Sequence, residues 1–273
     1  NSGSKGESEP EYRAVLRAMP FRELVALAET ADPEDLDYIR RGIEMNLAMA
    51  EEGLKLQKVG YRIAELIRLT GSGDDGVALS KSVTAAASDG RMAGLPHPVM
   101  SSGGAGNQGV VAILVAYLVG KAWKIDDERI LKSIALSHLI NSYVKCFTGD
   151  LSAICGCAIA AGMGAAVALV YQQCGADMTK IGYAVNTVVS DLGGIFCDGA
   201  KEGCAVKVAS STDSAIRAAW MAIRGFGISA LEGIAGESPE ITIRNLGRLG
   251  EQGMTEVNRV ILEIMREKDQ LKG

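Results

Sequence analysis

The chain has 273 residues, enough to bury a substantial core in one large domain. Hydrophobic residues make up 48% of it, aromatic residues only 5%, and 33 residues are glycine, a composition that favours closely approaching helices. A net charge of −5 without a run of basic residues argues against a nucleic acid as the main partner.

The first residues are polar and show neither a signal peptide nor a transit peptide. We therefore expect residues 1–20 to be a polar linker from a longer protein and residues 21–273 to form the folded domain. Six cysteines are too few for a disulfide scaffold. Without a secretory signal, a reducing cytoplasm is the expected location.

Helical periodicity dominates the chain from Asp32 onwards, where Asp caps a helix and Pro33 suits its first turn. Apolar residues recur at helical spacing as far as Thr70, with a break expected at Gly53. No convincing strand is found, so the predicted fold class is all-α, with seven or more helices packed through small residues. Further helices are predicted over residues 77–88, 110–123, 127–145, 153–174, 177–193 and 204–224, from residue 238, and over residues 254–268.

Residues 153–171 form the most apolar segment, nineteen residues without a charge. Its length permits a membrane span. However, its residues are mostly small, and its flanks lack aromatic and basic anchors. We therefore predict that it is the central apolar helix of the domain, and we expect no membrane partner.

The stretch GAGNQG, residues 104–109, matches the glycine pattern of dinucleotide-binding loops, and Asp126 and Asp127 follow near the usual distance. That pattern requires a strand before the glycines. The preceding residues instead contain two prolines and no β-branched run. A dinucleotide site is therefore the weakest interpretation, although a loop as long as residues 91–109 is usually functional in a compact domain.

Two segments place cysteines beside glycine at predicted helix ends, where backbone N–H groups stabilise thiolates. They are CGC, residues 155–157, and FCDGAKEGC, residues 196–204. Zinc would favour paired C-x-x-C motifs, whereas irregularly spaced thiolates suit an iron–sulfur cluster. We interpret Cys146 and Cys174 as small buried hydrophobic residues.

Three motifs occur in the order SSGGAGNQG, LSAICGCAIAAGMGAA and DLGGIFCDGAKEGCAVKV. Together they resemble the α-type catalytic domain of iron–sulfur-dependent L-serine dehydratases, and still more closely the L-cysteine desulfidases and uncharacterised serine-dehydratase-like proteins. The resemblance extends from about Arg22 to the C-terminus. It implies an all-helical domain with a [4Fe-4S] cluster held by three cysteines, which leaves one iron open for the substrate.

The resemblance assigns Cys157 and Cys197 as two cluster ligands. The third is Cys204 or Cys155, or it lies in an N-terminal segment missing from this chain, since the cysteine desulfidases draw a ligand from such a segment. In that last case this fragment would lose the cluster and be inactive.

The glycine loop offers backbone N–H groups at a helix N-terminus together with hydroxyl and amide side chains, which is a common way to bind an anion. We predict that it binds the substrate carboxylate. The residues are Ser101, Ser102, Gly104, Gly106 and Asn107.

A β-elimination also needs a base for the proton on Cα. Lys145 and Lys207 lie next to the cysteine motifs, and a buried lysine can serve as a base. His97 lies in the loop before the serines, whereas His138 lies on a predicted helix and is expected to be a core residue. Asp191 and Asp198 are alternatives, with helix capping as their other role.

We therefore expect a lyase that converts L-cysteine or L-serine to pyruvate and ammonia, with the open iron as Lewis acid. The alternative is a non-enzymatic protein of the same fold that binds an amino acid or another anion. In both cases the expected partner is a small amino acid. The sequence does not decide whether the protein forms a homodimer.

Overall fold

The computed structural model describes residues 11–73, 75–150 and 152–270. This part of the chain contains helices and no strand, which confirms the predicted all-α class. The helices are α1 Glu11–Ala18, α2 Phe21–Glu29, α3 Pro33–Lys55, α4 Val59–Leu69, α5 Gly76–Met92, α6 Gly106–Ala122, α7 Asp127–Thr148, α8 Ala160–Cys174, α9 Met178–Leu192, α10 Cys204–Ile223, α11 Pro239–Arg248 and α12 Thr255–Gln270, with a π-helical turn at Leu249–Gly253.

Helix α8 is the centre of the core and packs against α6, α7, α9 and α10. Glycines permit these close contacts. A Cβ on Gly164 would lie 2.5 Å from the carbonyl oxygen of Ser137 on α7, and one on Gly162 would lie 2.6 Å from Ser211 Oγ on α10. Residues 160–171 of the apolar segment therefore belong to the central helix, and among the described residues no helix is long and apolar enough to cross a membrane.

The predicted break at Gly53 is wrong. Gly53 lies inside α3, where a Cβ would collide with the carbonyl oxygen of Ala86 on α5, so the glycine permits two helices to cross closely. The chain turns three residues later, before α4, and Gln57 there has a φ of 55°. A glycine within a helical pattern can therefore permit a close contact between two helices as readily as it can end a helix.

The N-terminal part also departs from expectation. Residues 1–10 of the expected linker lie outside the described residues, but Glu11–Ala18 forms α1. This helix packs against α7, and its Leu16 belongs to the core. Helix α2 follows directly and buries four of its side chains, so this region contributes to the domain.

Candidate functional site

A cavity of about 820 Å³ lies where α6 and α10 begin and where the chain turns into α8. The first backbone N–H groups of a helix have no partner within the helix, and they give its N-terminus a partial positive charge. Neither α6 nor α10 has a side-chain cap. The cavity is therefore suited to anionic groups.

Four cysteines line this cavity: Cys155, Cys157, Cys197 and Cys204. A short backbone pairing brings the first three together. The N–H of Cys155 donates to Ile195 O at 2.9 Å, and the N–H of Cys197 donates to Ala153 O at 2.7 Å. Residues 153–159 therefore precede α8 instead of starting it, which places two cysteines at the cavity wall and shortens the predicted helix.

The thiols of this group interact with one another. A hydrogen bond between Cys155 and Cys157 lowers the pKa of Cys157 and raises that of Cys155. The pKa of Cys197 is raised, first by the Cys155 thiol and then by burial. The fourth thiol is held by its own loop, since Cys204 Sγ accepts from the N–H of Lys201 at 3.5 Å. Among the three thiols that contact one another, Cys157 is the one whose surroundings favour the thiolate.

The donor set of this cavity includes four thiols. Among the described residues, no three His, Cys, Asp or Glu side chains converge closely enough to hold one metal ion. A cluster separates its thiolate ligands, because irons and sulfides lie between them, and proteins hold it mainly through cysteine. Four thiols line this one cavity, so the side chains present fit that preference for cysteine.

The glycine loop forms another part of the cavity wall. Ser102 and Ala105 exchange two backbone hydrogen bonds, of 3.2 and 3.0 Å, around Gly103 and Gly104. These glycines have φ values of 52° and 80°, a region that disfavours other residues. A Cβ on Gly104 would meet nothing within 4 Å, so the loop leaves its backbone open to the cavity.

The two predicted serines do not line this cavity. Ser102 is 2% exposed, and its Oγ lies 2.9 Å from both His138 Nδ1 and Asn141 Nδ2 on α7. Ser101 is exposed and lines a separate cavity of about 520 Å³. Ser102 therefore links the glycine loop to α7 by hydrogen bonds. The backbone of the loop faces the cavity, whereas the hydroxyl groups of Ser101 and Ser102 do not.

Both predicted lysines line the cavity, each against a carboxylate. Lys145 Nζ lies 2.7 Å from Asp150 and also donates to Gly103 O, at the end of the glycine loop. Lys207 Nζ lies 2.6 Å from Asp198 and donates to Phe196 O at 2.8 Å. Lys145 thus lies beside the glycine loop, and Lys207 lies beside the segment that carries Cys197.

Arginines add further positive charge. Arg13, on α1, lies 2.7 Å from Asp150, and this contact is the main reason why the pKa of Asp150 is lowered to about 2. Arg91, at the end of α5, donates to Asn107 Oδ1 at 3.3 Å and packs against Gly106. The sequence analysis missed both arginines, because they precede the recognised motifs and no local pattern distinguishes them.

Other candidates lie elsewhere. His97 is outside the cavity, and Asp191 pairs with Arg217.

Cys146 is buried on α7, and Cys174 lies 3.5 Å from Lys180 Nζ. Neither of these two cysteines lines the cavity. His138 has its Nε2 buried without a partner among the described residues, and burial lowers the pKa of His138 to about 4.

Comparison with known proteins agrees with the resemblance carried by the three sequence motifs. The serine dehydratase alpha chain family matches residues 12–263. Relatives include UPF0597 proteins of Geobacter sulfurreducens, 61% identical over 94% of this chain and 60% of the relative, and of Elusimicrobium minutum, 52% identical over 98% and 63%. A UPF0597 protein of Clostridioides difficile is 37% identical over 98% of this chain and 63% of its own length.

The chain spans about three fifths of the length of these relatives. No solved structure matches it. The family match covers nearly the whole described chain, including the glycine loop and all four cavity cysteines. The chain belongs to the serine dehydratase alpha chain family.

Proposed function

We propose that this protein is an iron–sulfur-dependent lyase that eliminates water from L-serine or hydrogen sulfide from L-cysteine. The observation that carries the proposal is the shared cavity: Cys157, Cys197 and Cys204 line it together with the glycine loop and two lysines. Membership of the serine dehydratase alpha chain family supports the same reaction class.

Cys157, Cys197 and Cys204 would hold the cluster. Cys155, whose thiol contacts two of the others, supports them with a hydrogen bond, as outer residues of metal sites commonly do. When bound, the cluster supplies a Lewis acid for the leaving hydroxyl or thiol group.

The substrate carboxylate binds at the glycine loop. The N-terminus of α6 and the open backbone at Gly104 provide N–H groups, and the guanidinium of Arg91 adds a full positive charge nearby. Asn107 fixes the Arg91 side chain by accepting its hydrogen bond. In this proposal, Cα and Cβ of the amino acid lie between the loop and the cysteines.

A lysine amine takes the proton from Cα. Lys207 stands beside the cysteine wall and Lys145 beside the glycine loop, and either becomes a base once its ammonium group has lost a proton. The electron pair of the C–H bond then forms the Cα–Cβ double bond, and hydroxide or thiolate leaves from Cβ. The aminoacrylate reacts with water to give pyruvate and ammonia.

The test is anaerobic reconstitution with iron and sulfide, followed by the visible spectrum and by pyruvate release from L-serine and L-cysteine. The whole-length Geobacter sulfurreducens relative serves as a second sample, since it is 61% identical to this chain but longer. We expect cluster absorption and pyruvate release with one of the two amino acids. Both proteins folded and cluster-bound yet inactive with both amino acids would contradict the proposal and favour a binding protein.

A further inference from the structure

Gln108 is a buried amide at the cavity that the proposed reaction leaves without a role. It is the third residue of α6 and is only 6% exposed. Its side chain lies against Gly156, between two of the cysteines in sequence, where a Cβ would be 2.5 Å from Gln108 Nε2. Its Oε1 has no hydrogen-bond partner among the described residues.

Such an atom is unusual, because a buried polar group without a partner is costly and most are satisfied. Several other buried side-chain atoms of the described residues also lack a partner, but Gln108 is the one residue among them that lines this cavity. A ligand with an N–H or O–H donor would satisfy it.

Three other side-chain acceptors around the cavity are already engaged. Asn107 Oδ1 accepts from Arg91, the Asp150 carboxylate binds Arg13 and Lys145, and the Asp198 carboxylate binds Lys207. The cavity therefore has ample positive charge for a carboxylate, but few acceptors for an ammonium group. Gln108 Oε1 provides one.

We propose that Gln108 Oε1 accepts a hydrogen bond from the α-ammonium group of the ligand and so selects α-amino acids over carboxylic acids that lack this group. The inference rests on the proposed function, because it takes an amino acid as the ligand of this cavity. In this arrangement the carboxylate of the ligand lies near Arg91 and the start of α6, and its ammonium group lies at Gln108. The side chain of the ligand is then directed away from these two groups.

L-Alanine and propanoate make a suitable ligand pair. They share the carboxylate and differ by the α-ammonium group, and neither has a leaving group, so binding is measured without turnover. The dissociation constants of both are determined by calorimetry on the anaerobically reconstituted protein. We expect the protein to prefer L-alanine.

Gln108→Met keeps a similar shape but removes the acceptor, and Gln108→Glu keeps an acceptor. We expect Gln108→Met to reduce the preference for L-alanine at least tenfold through weaker binding of L-alanine alone, and Gln108→Glu to retain the preference. Gln173→Met, the same change at an exposed position of α8, should leave both constants unchanged. Circular dichroism shows whether each variant is folded.

An unchanged preference in folded Gln108→Met would overturn the inference while leaving the lyase proposal intact. An equal loss for both ligands would also overturn it, since the amide would then bind the carboxylate. Preference for L-alanine that depends on Gln108, in a protein that releases no pyruvate, would support the inference and contradict the proposed reaction. A protein that binds neither ligand would contradict both.

Discussion

The core around α8 and the wall of the cavity are both built from small residues, but the two regions use them differently. In the core, Gly162 and Gly164 lie inside a helix and bring helix backbones together. At the cavity, Gly103 and Gly104 lie before a helix and leave its N-terminus open. In this protein, the glycines inside α8 therefore permit close packing, whereas the glycines before α6 leave backbone exposed at the cavity.

The cysteines divide in the same way. Cys157 and Cys204 lie before or at the start of a helix and line the cavity, whereas Cys146 and Cys174 lie at the C-terminal ends of α7 and α8. If the account is correct, substitutions at the first group change the chemistry and leave stability intact. Substitutions in the core should lower the stability of the fold and leave the chemistry at the cavity intact.

The largest effect is expected for Cys197→Ser. Loss of one thiolate from a three-cysteine site should reduce bound iron to a small fraction of the normal content and abolish pyruvate release. Iron analysis after anaerobic reconstitution measures this. Cys174→Ser is the matched control, because Cys174 lies outside the cavity, and it should retain its iron. Normal iron in Cys197→Ser would remove Cys197 from the ligand set.

Lys207→Met should lower kcat about 100-fold, the lower range for loss of a general base, with the cluster spectrum unchanged. Lys201→Met is its control. Lys201 also contacts Asp198 but does not line the cavity, so we expect kcat to stay within about threefold of the normal value. If the two variants behave alike, Lys207 acts only by holding the loop that carries Cys197.

Gly164→Ala tests the core. Its new Cβ would lie 2.5 Å from a backbone oxygen of α7, so we expect the free energy of unfolding to fall by about 2 kcal/mol. Gly182→Ala on α9 meets nothing within 4 Å and should be stabilising by about 0.5–1 kcal/mol, because alanine favours helices. Urea denaturation measures both. Equal effects would show that the glycines of α8 are not needed for close packing.

The last prediction concerns the pH dependence of stability and His138, which contacts Ser102 of the glycine loop. Its pKa falls from 6.5 to about 4 on folding because the ring is buried, so the unfolded chain binds the proton more readily between these values. Stability should therefore be full above pH 6.5 and fall towards pH 4, by at most about 1.4 kcal/mol per pH unit. His138→Gln should reduce this slope in urea denaturation, and an unchanged slope would assign the pH dependence to other groups.

Much of the helical fold follows from periodicity and capping. Asp32 and Pro33 start α3 as predicted, with Asp32 accepting the N–H groups of Glu34 and Asp35. The charge-free stretch forms the buried centre because nothing in it is costly to remove from water. Helix α1 was missed because the polar composition of the first residues was taken to extend to residue 20, although Glu11–Ala18 is helical.

The site was only partly accessible from sequence. The three motifs place cysteines and glycines at helix starts, and the structure brings those residues to one cavity. Ser102 was predicted to face the ligand because its hydroxyl is a donor, but its partners His138 and Asn141 lie 36 and 39 residues away in the chain. Arg91 and Gln108 depend on tertiary contacts of the same kind, which no local pattern encodes.

The central claim is that the cavity thiols hold an iron–sulfur cluster. The most direct measurement is a crystal structure of the anaerobically reconstituted protein with anomalous diffraction recorded at the iron absorption edge. The account predicts iron density in the cavity beside Cys157, Cys197 and Cys204. An intact cavity without iron, or iron bound elsewhere, in protein that releases pyruvate would contradict it.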